Sequence, residues 1–182
     1  VVTSYDTNGD PLTTGSKFAN VFALPIIALA VLLILNALPH IAIYKRNIER
    51  FYNKFYGFKA IILLFILVVY LVNIMPAYGY HFESHFIIIP ALAILFLYMG
   101  HVLKHVHRNF FIGFVSPWAL SSDKLWNRTH RFGGAVLEMC GLALLIGLFF
   151  QDLLLEILLT AVIAGFVITG VYSYLIFTRN HH

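Results

Sequence analysis

Hydrophobic residues in this chain fall in long unbroken blocks separated by short polar passages. Five blocks, at 18–43, 60–80, 86–103, 132–150 and 153–177, approach or exceed the roughly 20 residues that an apolar helix needs to cross a bilayer. A closed barrel also satisfies every backbone group in lipid, but its strands alternate apolar and polar residues. The run Ala60-Ile-Ile-Leu-Leu-Phe-Ile-Leu-Val-Val69 is apolar throughout. The pattern therefore predicts an all-α, polytopic transmembrane helical bundle with five visible helices.

Composition agrees with that reading, at 60% hydrophobic and 11% charged residues, with a mean hydropathy of +0.85. Charge then orients the bundle. Lys45, Arg46, Arg50, Lys54 and Lys59 lie between the first two blocks, Lys104, Arg108, Lys124, Arg128 and Arg131 between the third and fourth, and Arg179 follows the fifth. Lys17 is the one remaining basic residue of twelve, and the connections at 81–85 and 151–152 have none. With alternating spans, the positive-inside rule makes the basic side cytoplasmic. Residues 1–17 are then an extracytoplasmic segment, and residues 18–182 the bundle, with a cytoplasmic loop at 104–131 and a cytoplasmic C-terminus. The net charge of +4 belongs to these flanks, where anionic lipid is the expected partner and nucleic acid is not. Because a polar segment beginning at Val1 must be exported, either a removed signal peptide or a further helix before Val1 is expected, the latter giving six helices. His181 and His182 are given no functional weight.

The passage at 110–131 is the one long polar and aromatic stretch between spans. Ser116-Pro117 should break helix, since proline lacks an amide hydrogen and biases its predecessor away from helical angles. Ser121 or Ser122 suits an N-cap, with Asp123 favourable in the first turn that follows. Leu125, Trp126 and Thr129 would then share one side of a short amphipathic helix at the cytoplasmic surface. Trp118 and Trp126 are the two tryptophans of the chain. They fit two readings: interfacial anchors, or members of a partner-binding loop.

In the run Asn109-Phe-Phe-Ile-Gly-Phe-Val-Ser-Pro-Trp-Ala-Leu-Ser-Ser-Asp-Lys-Leu-Trp-Asn-Arg-Thr-His-Arg-Phe-Gly-Gly134 the chain resembles the SdpI family of bacterial membrane proteins. The family pattern is close to N-x-x-I-G-I-R-T-P-W-T-L-x-x-x-x-V-W-x-x-T-H-R-x-G-G. The segment Tyr5-Asp-Thr-Asn-Gly-Asp-Pro11, with Ser16-Lys17, is similar to the external segment that follows the first helix in relatives, so the resemblance also implies a helix before Val1. Departures are Val115 and Ser116 for the family's Arg and Thr, Ala119 for a Thr, and Ser4 for a His. Losing that arginine removes a fixed cation with a planar hydrogen-bonding fork. The resemblance implies an immunity protein against a membrane-active peptide toxin that also signals by holding a transcriptional regulator at the membrane. Gly113, Pro117, Trp118, Asp123, Trp126, His130 and Arg131 are the residues expected to bind such a partner.

Glu138 lies inside the fourth block, where an unpaired carboxylate costs a few kcal/mol. It shares a helical face with Gly134, Gly141 and Leu145, a small-residue strip suited to close helix packing. It is therefore expected to face protein, with Thr169, Tyr172 or the polar edge near Arg131 as candidate contacts. It serves either a proton or substrate contact or a structural bond. His101 and His105 are spaced as metal ligands often are, yet with Lys104 and Arg108 they also form an ordinary basic interfacial end. His81, Glu83 and His85 form a similar external cluster. In Asp6-x-Asn8-Gly9-Asp10 the glycine is at the wrong position for a calcium loop and no Glu closes it, so a turn at Asn8-Gly9 is expected. The sequence thus calls for no metal and no cofactor. Ala161, Gly165, Thr169 and Ser173 recur every four residues, for packing inside the bundle or for self-association. Cys140, inside the fourth block, has no internal disulfide partner and reads as a packing residue.

No nucleophile with a base and no phosphate-cradling loop is visible, so an enzyme is not expected. The leading expectation is a binding protein for a peptide toxin, a cytoplasmic regulator or both. An accessory subunit of a larger membrane complex is the alternative, and a small transporter resting on Glu138 is the third.

Overall fold

The computed structural model describes residues 2–5, 11–14, 16–41, 52–80 and 82–179. Their helices are α1 (Lys17–Ile41), α2 (Tyr52–Ile74), α3 (His85–Leu103), α4 (Asp123–Gly147) and α5 (Leu154–Arg179). All five are long and apolar enough to cross a membrane. The molecule is a helical bundle. Short 3₁₀ turns at Met75–Tyr78, Ala119–Ser121 and Gln151–Leu153 lead out of or into these helices.

One element has no counterpart in the expected all-helical pattern. Val2–Tyr5 (β1) pairs antiparallel with Pro11–Thr14 (β2), and the register shifts twice along this short ribbon. Half the residues of each strand are β-branched, which favours extended backbone. The calcium-like and turn positions at 6–10 lie outside the described residues, as do Lys45, Arg46, Arg50, His81, His181 and His182.

Two helices start earlier than their apolar runs. α2 takes in Lys54 and Lys59, and α4 starts at Asp123, nine residues ahead of the run at 132. The short surface helix and the fourth span are thus one continuous helix. Apolar content marks where lipid begins, whereas the backbone ladder runs on until a cap or proline stops it. At α4 the start is Ser122, whose Oγ accepts from Leu125 N at 3.2 Å. Ser121 does not cap; its hydroxyl donates to Trp118 O at 2.7 Å.

α4 is the centre of the bundle, flanked by α3 and α5 on two small-residue strips. Toward α3, a Cβ on Gly134 would come within 2.6 Å of the Gly100 carbonyl oxygen, and one on Gly141 within 2.9 Å of that of Ala93. Toward α5, Gly165 meets Cys140 and Val136, and Gly133 meets Thr169. Cys140 Sγ donates to Ala161 O at 3.1 Å, and Thr129 and Ser173 share a buried hydroxyl bond of 2.9 Å. The strip at Ala161, Gly165, Thr169 and Ser173 is therefore spent on packing within the bundle, which removes the case for self-association through it. Close backbone approach of this kind supplies van der Waals contact where lipid provides no hydrophobic drive between helices.

α2 packs on α3 where Gly57 leaves room for the Tyr98 hydroxyl. α1 meets α2 through a part-buried polar contact, Lys59 Nζ donating to Asn36 Oδ1 at 2.8 Å, with the ammonium 4.3 Å from the Tyr56 ring centre. Lys59, counted from sequence among the connecting charges, is a buried helical residue at 8% exposure. Two apolar clusters mark the ends of the bundle. Phe55, Val102, Val106, Ile112, Ala119 and Trp126 interlock at one end, and Ile89, Ala93 and Leu144 at the other. The first is the end that carries the signature loop.

Candidate functional site

The loop between α3 and α4 is built around Asn109, which is fully buried. Its Nδ2 donates to His107 O at 2.8 Å and to Ile112 O at 3.1 Å. Its Oδ1 accepts from Phe111 N at 2.8 Å and from Ile112 N at 2.7 Å. A single amide thereby supplies the hydrogen bonds that loop backbone lacks when no ladder is available. Ile112, held in this way, drops into the apolar cluster under the loop.

Gly113 follows with φ +118, a conformation that side chains rarely adopt. Any Cβ there would also run into His130 Nε2. His130 is almost wholly buried and stacks on Trp126, ring centres 3.8 Å apart. Its Nε2 accepts from Phe114 N at 2.9 Å, and its Nδ1 faces Trp126 O at 2.8 Å. An acceptor at Nε2 with a carbonyl at Nδ1 requires the neutral ring carrying its proton on Nδ1. Trp126 has no exposed surface, and its indole N–H donates to Val106 O at 2.8 Å. Trp126 and His130 therefore form one interior frame, on which the exposed Gly113 rests. They support the loop from within, and the surface of the molecule offers a partner neither Trp126 nor His130.

Past this frame, Ser116 Oγ accepts from Ala119 N at 3.2 Å and Ser116 O from Leu120 N at 2.9 Å. Pro117 lies exposed on this turn. Trp118 is half-buried and packs edge-on against Tyr174 of α5, ring centres 5.7 Å apart. Phe114 packs on α5 two turns earlier, 5.3 Å from Phe166. Asp123 pairs with Arg108 at 3.0 Å, and Arg108 also donates to Leu120 O at 3.1 Å, which ties the start of the loop to its end. Arg131 is exposed. Of the seven residues expected to bind a partner, Pro117 and Arg131 face out, Gly113 and Asp123 are exposed but tied to neighbours, and Trp118 is half-covered.

Glu138 faces α3 and pairs with Lys104, both side chains a little under one-third exposed. Lys104 was not among the contacts expected from sequence. Thr169 instead donates to Gly165 O at 2.8 Å, and Tyr172 stacks on Phe132 with ring centres 4.0 Å apart. The pair flanks the point where Gly100 and Gly134 cross. In antiparallel helices whose Cβ bonds tilt toward each N-terminus, residues four beyond each crossing glycine lean back toward one another. The equal spacings Gly100-x-x-x-Lys104 and Gly134-x-x-x-Glu138 carried this signal in the sequence. Asn109, at the head of the motif, could likewise have been read as a loop organiser from the turn chemistry of asparagine.

His105 Nδ1 lies 2.9 Å from His101 O, and the two rings are 4.9 Å apart on an exposed surface. His85 lies 3.4 Å from Glu83. Among the described residues no group of three or more His, Cys, Asp or Glu is placed to hold a metal ion.

No curated protein and no solved structure matches the chain. Residues 105–177, from the signature loop through α4 and most of α5, match the model of the SdpI/YfhL protein family.

Proposed function

We propose that this protein acts by binding at the loop end of the bundle, as immunity against a membrane-active peptide toxin, as a signalling protein that engages a cytoplasmic partner, or as both. One observation carries the reading. The signature loop is braced by a buried frame, yet it leaves Phe110, Phe111 and Val115 41%, 42% and 44% exposed beside the exposed Pro117. Bracing pays the ordering cost in advance, which favours recognition over a merely connecting role. Trp118→Ala should reduce protection or partner capture more than it reduces accumulation in the membrane. Equal loss of both would leave the loop a folding element only.

The loop end is cytoplasmic in this proposal, on the charge asymmetry of the sequence, and the membrane is the bacterial inner membrane, on the resemblance to a bacterial family. Single cysteines test the sidedness in a Cys140→Ala background. An impermeant thiol reagent applied to intact cells should label Ser84→Cys and spare Asn53→Cys, and the reverse pattern inverts the topology.

An accessory subunit of a larger complex is separated by native purification, since it would co-migrate stoichiometrically with other chains. Transport rests on Glu138, and the ion pair with Lys104 supports a structural role for that residue. Normal abundance and normal activity of Glu138→Gln would remove the transport reading.

A further inference from the structure

Between α3 and α5, against the flank of α4, lies an apolar cleft of about 600 Å³, within the size range of small-ligand sites. Phe96 and Met99 of α3, Val136 and Cys140 of α4 and Val162 of α5 form its walls, and residues 111–115 of the signature loop close one end. Polar atoms on the wall are already bonded, Thr169 Oγ1 to Gly165 O and Cys140 Sγ to Ala161 O. The cleft therefore asks for no hydrogen bond, and its occupant is apolar.

Length narrows the choice of occupant. The lining runs from Phe96 to Leu103, from Gly133 to Cys140 and from Val162 to Thr169, in each case about 10 Å at the helical rise. A spanning helix needs a straight path of about 30 Å, and this one ends against the loop. A flexible hydrocarbon chain entering from the side meets no such obstacle. Two features at the loop end indicate what such a chain is attached to. The Trp118 indole N–H is buried without an acceptor among the described residues, and Trp118 packs on Tyr174, one helical turn past Gly170, the residue that Phe114 of the roof touches. Lys124, Arg128, Arg131 and Arg179 are exposed at the same end, and no carboxylate pairs with any of them among the described residues. Such cations attract an anionic lipid surface.

We propose that the cleft holds one acyl chain of an anionic phospholipid from the leaflet at the loop end, with its polar ester and phosphate region beside Trp118. The chain would fill the space under residues 111–115 and brace the loop from beneath. The site shares Phe111 and Val115 with the exposed face of the loop, but it needs no protein partner and is tested without one.

The test uses the full chain reconstituted in phosphatidylcholine and phosphatidylglycerol vesicles, doped with phosphatidylglycerol that carries a photoreactive diazirine in mid-chain. After irradiation, peptide mapping should find label on residues 111–115 and 136–140 several-fold above exposed lipid-facing positions such as Leu29, Leu64 and Ile163. Met99→Trp and Val162→Trp, which fill the cleft from different helices, should each cut that labelling several-fold. Ile163→Trp, at a position 61% exposed, should leave it unchanged. Even labelling over all apolar faces, or labelling indifferent to both fillers, means ordinary boundary lipid and overturns the proposal. Equal labelling by phosphatidylcholine with the same diazirine chain overturns it as well, because the anionic head group would then play no part.

Discussion

At the loop end of the bundle, Trp126, His130 and Asn109 make directed hydrogen bonds to the backbone of Val106, Phe114 and Ile112 around an apolar cluster. At the opposite end, Ile89, Ala93 and Leu144 meet Leu148, Leu154 and Leu158 through aliphatic contacts. The difference reflects what a bilayer rewards. Aliphatic side chains are nearly as well solvated by lipid tails as by one another, so such contacts hold helices together weakly and with little selectivity. Directed bonds leave buried donors and acceptors unsatisfied in any other arrangement, so they select one geometry. The loop end is thus the specified end, and the opposite end only has to fit.

The largest expected effect comes from emptying the specified end. Trp126→Ala removes a fully buried indole and its bond to Val106, and should lower stability toward denaturant in detergent by about 3–5 kcal/mol. Limited proteolysis should show the loop opening before the bundle unfolds. If the loop stays protected, the frame is not what holds it.

Glycine geometry sharpens the contrast next. Gly113→Ala combines a positive φ with a clash against His130 and should cost more than about 2 kcal/mol. Gly79→Ala has φ +86 and nothing within 4 Å, so only the conformational penalty of about 1 kcal/mol applies. Similar losses at both would mean that the His130 contact carries no energy.

Lys104 and Glu138 should give a smaller effect, because each is partly exposed. Lys104→Met or Glu138→Leu alone should cost about 1–2 kcal/mol, and the double variant should recover about 1 kcal/mol of the summed loss. Strict additivity in that cycle would show that the pair is a bystander to the Gly100 and Gly134 crossing.

Least of all is expected at the opposite end. Leu144→Met, at a fully buried position, keeps volume and apolarity and should cost less than about 1.5 kcal/mol with no change in loop proteolysis. A larger loss, or a disturbed loop, would erase the distinction between the two ends.

The helical class and the five spans were legible in the chain, because the roughly 20-residue requirement of the bilayer is written directly into apolar run length. The helix starts at Tyr52 and Asp123 were not, since lipid contact and helical hydrogen bonding stop at different places. The family motif was visible as a string, and its Ser-Pro break and a cap at Ser121 or Ser122 could be read from local chemistry alone, the structure deciding for Ser122. Whether each motif residue turned inward or outward could not, because that depends on which groups the fold brings opposite one another. From sequence Trp126 reads as an anchor or partner-binding residue and His130 as a partner-binding one, and both become interior supports only when Gly113, Phe114 and Val106 close over them. Glu138 followed the same rule. Sequence placed it on a small-residue face that had to pack against something, while the antiparallel crossing of Gly100 and Gly134 decided that its partner is Lys104. Composition and periodicity act through solvation, which each residue feels independently of distant chain, whereas pairing of buried polar groups is a contact between segments far apart in sequence and exists only once the helices have met.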